Sequence, residues 1–192
     1  MRTSIRERQT KETDIRVALD LDGSGKTDIN TGVGFLDHML TALAVHAGFD
    51  MVVKCVGDYN VDTHHSVEDI GIVLGQAFAE ALGDKKGIKR YGSFTVPMDE
   101  ALASCHIDIS GRAYTVFDAR FAAERIGKLD AQMIPEFFHA FANTARITMH
   151  LTVNYGENDH HKAEALFKAF AHALKIAISR DGNTLLSTKG TL

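Results

Sequence analysis

Ten histidines are spread over the chain, and four of them stand in two adjacent pairs, His64-His65 and His160-His161. Each pair is followed by a glutamate, in Asp62-Thr63-His64-His65-Ser66-Val67-Glu68 and in Asn158-Asp159-His160-His161-Lys162-Ala163-Glu164. On a helix, residues i and i+4 lie on one face a turn apart, so His64 can share an ion with Glu68, and His160 with Glu164. The second histidine of each pair, His65 or His161, is rotated by about 100° around the helix axis and points to a different ion. One more histidine sits on a shorter helical stretch ahead of each motif: His38 within Phe35-Leu36-Asp37-His38-Met39-Leu40, and His139 within Glu136-Phe137-Phe138-His139-Ala140-Phe141. Six imidazoles and two carboxylates suffice for two sites of three histidines and one glutamate. Neither cysteine lies near the motifs, which argues against a structural zinc site. The set could hold Zn²⁺ tetrahedrally, or Mn²⁺ or Fe²⁺ octahedrally with positions left for substrate. A zincin helix does not match, because there the glutamate lies between two histidines four apart. His46, His106, His150 and His172 stand alone and read as ordinary surface or core residues.

The elements that must position these groups repeat. Both motifs follow a strand-like run ending in glycine, Asp50 to Gly57 and Arg146 to Gly156, and both open a long amphipathic stretch. Three strand-like segments begin each half, near 3–9, 12–21 and 24–30, and near 92–98, 101–110 and 112–118. Turn signals at Asp22-Gly23-Ser24-Gly25 and Ser110-Gly111-Arg112 are expected to close a hairpin in each half. The fold class is therefore α+β, an internal duplication of a β-β-β-α-β-α unit, each half a mixed sheet with helices on one face. The polar, glycine-flanked Gly83-Asp84-Lys85-Lys86-Gly87 places the boundary between a first half-repeat, 1–86, and a second with a C-terminal tail, 87–192. In the second long helix Ala163, Leu166, Phe167, Phe170, Leu174 and Ile178 recur at helical spacing, with Asp159 as the expected N-cap. Val67, Ile70, Val73, Leu74, Ala77, Phe78 and Leu82 do the same in the first. One sheet with one helix layer leaves apolar surface uncovered, so the halves should pack on each other.

Composition bounds the function. The 192 residues are 45% apolar and 24% charged, an ordinary globular balance. A net charge of -4 gives no polybasic signal for nucleic acid or an anionic membrane. No apolar run approaches the roughly 18 residues that span a bilayer, and the start Met-Arg-Thr-Ser-Ile-Arg-Glu-Arg lacks a signal-peptide core, so a cytoplasmic location is expected. Cys55 and Cys105, in apolar strand-like context, read as buried free thiols.

The motifs Gly34-Phe35-Leu36-Asp37-His38-Met39-Leu40, Asp62 to Asp69 (Asp-Thr-His-His-Ser-Val-Glu-Asp), Asp99-Glu100-Ala101-Leu102, Asp108-Ile109-Ser110-Gly111-Arg112, Asp159 to Lys168 and Ser187-Thr188-Lys189-Gly190 resemble the imidazoleglycerol-phosphate dehydratase family over essentially the whole chain. Some relatives carry a fused phosphatase, for which 192 residues leave no room, so a monofunctional enzyme is expected. The resemblance implies a homo-oligomer of 24 chains, a 24-mer, and two Mn²⁺ ions per active site with ligands shared between subunits. It implies His64, Glu68, His161 and His139 on one ion, and His160, Glu164, His65 and His38 on the other. The implied partner is a small imidazole sugar phosphate, D-erythro-imidazoleglycerol phosphate, which loses water to give imidazoleacetol phosphate in histidine biosynthesis. The substrate has no carbonyl to acidify a neighbouring C–H, but ions on both ring nitrogens would make the ring electron-rich enough to expel the adjacent hydroxyl. By the same matching, Glu12, Asp99 and Lys168 stand in or near the acid and base roles. Arg90, Arg112, Lys175, Ser187 and Lys189 are the candidates for the phosphate. Lys175 lies two turns beyond Lys168 on one helix face, ~10 Å along the axis. The other reading of the same ligands is a metal-assembled structural or storage oligomer without this activity, which would not need the cations or the Ser-Thr-Lys tail.

Overall fold

The computed structural model describes residues 1–190. The first half runs β1 (Thr3–Gln9), β2 (Thr13–Asp20), β3 (Thr27–Asn30), α1 (Gly34–Ala47), β4 (Asp50–Gly57) and α2 (His64–Leu82). The second runs β5 (Tyr91–Met98), β6 (Ala101–Asp108), β7 (Tyr114–Asp118), a short hairpin of β8 (Arg125–Ile126) and β9 (Leu129–Asp130), then α3 (Met133–Ala145), β10 (Thr148–Tyr155) and α4 (Asp159–Ile178). The two four-stranded sheets have the same order, β1-β2-β4-β3 and β5-β6-β10-β7. In each, the last strand pairs parallel to its neighbour and the others antiparallel.

The expected β-β-β-α-β-α order holds in both halves, but the expected hairpins at Gly23-Ser24-Gly25 and Ser110-Gly111 do not form. β3 and β4 are parallel strands joined through α1, as are β7 and β10 through α3. Parallel neighbours need such a crossover. It inserts the fourth strand between the second and third, so the glycine turn reverses the chain without pairing the strands it joins. The β8–β9 hairpin was not expected from the sequence. Its two-residue strands are too short to carry a period.

Alternation along β2 sends Ile15, Val17 and Leu19 inward and leaves Asp14, Arg16 and Ala18 on the outer face. Helices α2 and α4 cover the inner faces of their sheets, and the two helix layers then meet, α1 on α4 and α2 on α3. One apolar core results, running from sheet to sheet. Phe138 anchors it, with its ring centroid 4.8 Å from Phe167 and 5.4 Å from Phe170. Gly71 and Gly75, four apart on α2, let its backbone approach α3. A Cβ at Gly71 would lie 2.8 Å from Phe137 O, and one at Gly75 would fall on Thr144 Oγ1. This packing puts the starts of the two long helices, where the histidine pairs sit, at the rim of the core. Cys55 and Cys105 are buried free thiols. Among the described residues no helix is long and apolar enough to cross a membrane.

Candidate metal centre

Helix α4 begins at a true N-cap, which is Asn158 and not Asp159. The Asn158 side chain accepts from the N–H groups of His160 and His161 at 2.9 and 3.3 Å. Asp159 is drawn away: one oxygen accepts from Ala123 N–H at 2.7 Å and the other pairs with buried Lys162, whose ammonium also donates to Arg120 O at 2.8 Å. These contacts fix the first turn. The side chain of Glu164, almost fully buried, then meets His160 Nε2 at 3.2 Å from its own helix and His38 Nε2 at 3.4 Å from α1. Lys168, one turn on, donates to the other Glu164 oxygen at 2.6 Å. Burial pushes the Glu164 carboxyl upward, but the Lys168 ammonium and His38 outweigh it and hold it below its ordinary value.

His38, His160 and Glu164 are the one trio of this kind among the described residues, with ligand atoms all within 4.8 Å of one another. Atoms about 2.1 Å from a shared ion stand about 3.0 Å apart at a right angle and about 3.4 Å apart at a tetrahedral one. The two separations to Glu164 Oε2, 3.2 and 3.4 Å, fall in that range. Two imidazoles and one carboxylate are three protein ligands, a set that leaves coordination positions open for water, substrate or a further side chain.

At the start of α2, His64 Nε2 stands 3.5 Å from Glu68 Oε2, the pairing expected from the i, i+4 spacing. The two remaining pair members are turned elsewhere. His65 Nδ1 is 2.9 Å from Asp58 Oδ2, and its Nε2 is 3.8 Å from Glu12. His161 Nδ1 is 2.7 Å from Glu100 Oε2, and its Nε2 is 3.6 Å from Asp99. Asp58 and Glu100 raise their histidines above the ordinary imidazole value through these hydrogen bonds. Glu100 is itself held at about 2, first by the Asn158 N–H and then by His161. Glu12 and Asp99 occupy matching hairpin turns, β1–β2 and β5–β6. Thr10 Oγ1 accepts from Glu12 N–H at 3.1 Å and closes the first turn. Asp99 takes a left-handed φ of 48° in the second, a conformation an aspartate tolerates. His139 is exposed on α3.

The cationic candidates make the following contacts within the chain. Arg90 is bound bidentately by Asp108 at 2.6 and 3.1 Å, donates to Leu186 O at 2.7 Å, and lies over the Tyr91 ring. It lines a cleft with Leu185, Leu186, Ser187 and Thr188, so it is tied to the tail. Lys189 donates its N–H to Ser187 Oγ at 3.2 Å. Lys175 is exposed on α4, its ammonium close to Gly48 at the end of α1. Arg112 is exposed in the β6–β7 connection. Sequence reasoning passed over Asp58 and Glu100. Each is an ordinary loop carboxylate by position, seven residues before His65 and sixty-one before His161, and no spacing rule marks either one.

The fold and these clusters define a duplicated α+β protein that presents metal-type ligands at the starts of its two long helices. Residues 31–174 match the family model described as imidazoleglycerol-phosphate dehydratase. The chain is 56% identical over 186 residues to the imidazoleglycerol-phosphate dehydratase of Clostridioides difficile, covering 97% of each, and 55% identical over 192 residues to that of Methanosarcina barkeri, covering all of both. Solved structures agree. The Staphylococcus aureus enzyme superposes with a TM-score of 0.84 at 42% identity, over 93% of this chain and 99% of its own. The Pyrococcus furiosus enzyme gives 0.85 at 38%, over 97% and 100%. The chain belongs to the imidazoleglycerol-phosphate dehydratase family and is a hydro-lyase.

Proposed function

We propose that this chain removes water from D-erythro-imidazoleglycerol phosphate in a Mn²⁺-dependent reaction that yields imidazoleacetol phosphate, as a cytoplasmic step of histidine biosynthesis. The observation that carries the metal reading is the trio of His38, His160 and Glu164, a metal-type donor set of two imidazoles and a carboxylate. His65 of a neighbouring subunit would complete it. His64, Glu68, His139 and His161 would form the second set, again across subunits, within a 24-mer. When bound, the two ions would supply Lewis acidity at the two nitrogens of the substrate ring.

The chain's own residues handle the protons. The reaction removes the hydroxyl from the carbon next to the ring and a hydrogen from the carbon beyond it. The resulting enol takes up a proton at the ring-bearing carbon and releases its O–H proton to become the ketone, so the net loss is one water. The departing hydroxyl needs an acid and the C–H needs a base. Glu12 and Asp99 stand beside the Nε2 atoms of His65 and His161, close to where the ring would sit. Lys168 is held against Glu164 on the side that faces along α4 toward Lys175. Arg90, Arg112, Lys175, Ser187 and Lys189 supply the phosphate contacts, gathered from more than one chain and from the tail.

The reaction is tested by metal-stripping the purified protein, adding imidazoleglycerol phosphate, and restoring Mn²⁺. Ketone formation that appears only with the metal is expected. Protein that assembles and binds two ions per chain without turnover would instead support a structural or storage oligomer.

A further inference from the structure

Five of the eight metal-type side chains are imidazoles whose Nε2 atoms face a carboxylate at the candidate sites: His38 and His160 toward Glu164, His64 toward Glu68, His65 toward Glu12 and His161 toward Asp99. The two pair members that point away from their own helix's glutamate share one more feature. The Nδ1 of His65 is 2.9 Å from Asp58, and the Nδ1 of His161 is 2.7 Å from Glu100. We propose that Asp58 and Glu100 are positioning residues that set His65 and His161 as Nε2 ligands for two different ions. This rests on the metal reading above.

The chemistry is simple. An ionised carboxylate only accepts, so the nitrogen it faces must carry the hydrogen. In a neutral imidazole the other nitrogen then holds the lone pair. Asp58 and Glu100 therefore fix both the tautomer and the rotation of the ring, and leave Nε2 available to a metal. Without them, a partly exposed histidine at a helix start can flip or swing into solvent.

The two carboxylates come from places that the duplication does not relate. Asp58 follows Gly57 at the end of β4, and its positional counterpart, after Gly156 at the end of β10, is Glu157. Glu157 does not hold His161; its N–H donates to Glu100 at 3.2 Å. Glu100 lies in the β5–β6 turn, where the matching strand registers make Glu12 its counterpart in the first half; Glu12 faces His65 at Nε2, 3.8 Å away, and leaves Nδ1 to Asp58. The Nδ1 contact is thus made from the β4–α2 loop in the first half and from the β5–β6 turn in the second. Asp58 is the cleaner case. Its other oxygen, Oδ1, is buried with no hydrogen-bond partner among the described residues, whereas Glu100 also caps two backbone N–H groups.

The test uses the full-length protein and counts bound Mn²⁺ through the electron paramagnetic resonance signal of the free ion, a readout independent of turnover. Asp58→Ala should weaken one of the two ions per chain by about ten- to hundredfold. Asp58→Asn, whose amide oxygen still accepts from Nδ1–H, should recover part of that loss. Glu164→Gln should weaken the same ion as Asp58→Ala, and Glu100→Gln the other one. The melting temperature of metal-free Asp58→Asn should stay at the wild-type value, which separates positioning from a folding role. Two ions bound as tightly in Asp58→Ala as in wild type would overturn the proposal, as would equal weakening of both ions together with a lower metal-free melting temperature. Wild-type protein that binds no Mn²⁺ would overturn the metal reading itself.

Discussion

Glu164 is the residue on which most of the site converges. Its carboxylate touches two imidazoles from different helices and an ammonium, and it is almost fully buried. Removing its charge leaves Lys168 facing a neutral amide and takes one anionic ligand from the metal. We predict that Glu164→Gln lowers bound Mn²⁺ from two ions per chain toward one, read by metal analysis after gel filtration. Full occupancy in that variant would remove Glu164 from the ligand set. The helix spacing predicts the Glu164 contact with His160 and the Glu68 contact with His64 before any coordinates, because four residues is a turn. The approach of His38 to Glu164 was not legible in that way, since it depends on how α1 crosses α4. No spacing marked Asp58, and Glu100 stood within the Asp99-Glu100-Ala101-Leu102 motif without a role; both contacts arise only when separate loops fold against the histidines.

At the scale of elements, the close packing of α2 on α3 depends on two glycines. Gly75→Ala would drive a methyl into Thr144 and the Phe141 carbonyl, and overpacking of this kind costs about 1–3 kcal/mol. A lower melting temperature is expected, and an unchanged one would mean that α3 yields freely. Phe138→Ala, at the centre of the aromatic cluster, should cost more, about 3–5 kcal/mol, by leaving a cavity. The turn between β2 and β3 offers a pH test. Asp50 accepts from the N–H groups of Ser24 and Lys26 at 2.7 and 2.9 Å, and these two bonds hold its carboxyl below its ordinary value. A carboxyl lowered in the folded state stabilises the protein above its unfolded value and loses that effect as pH falls through the folded one. Metal-free Asp50→Asn should therefore melt below wild type at neutral pH, with the gap closing as pH drops below 3.8. A gap that stays constant would show that the charge plays no part. The order of elements was readable from the repeat, but their pairing was not. A glycine turn announces that the chain reverses, and only the crossover through α1 or α3 decides which strand it lies beside. The cap of α4 slipped by one residue for a similar reason. Asn158 and Asp159 are equally good caps in isolation, and Asp159 is claimed by Ala123 and Lys162.

At the scale of the whole molecule, the described residues of one chain present one such trio on α1 and α4 and the His64–Glu68 pair on α2. If neighbouring subunits complete these sites, metal and assembly are linked. Acidification protonates the histidines and releases the ions, so the oligomer should dissociate into smaller units, as it should on chelation. A sedimentation profile unchanged by metal removal would contradict this. The most direct measurement is complementation between two inactive variants. His65→Ala retains the trio of α1 and α4 but cannot complete a neighbour's, while Glu164→Gln retains His65 but lacks its own trio. The two are dissociated, mixed in equal amounts, reassembled with Mn²⁺ and assayed for ketone. With sites shared between subunits of a symmetric oligomer, random mixing restores up to roughly a quarter of wild-type activity. Activity no higher than that of the separate variants, from particles shown to contain both, would mean that each chain builds its site alone.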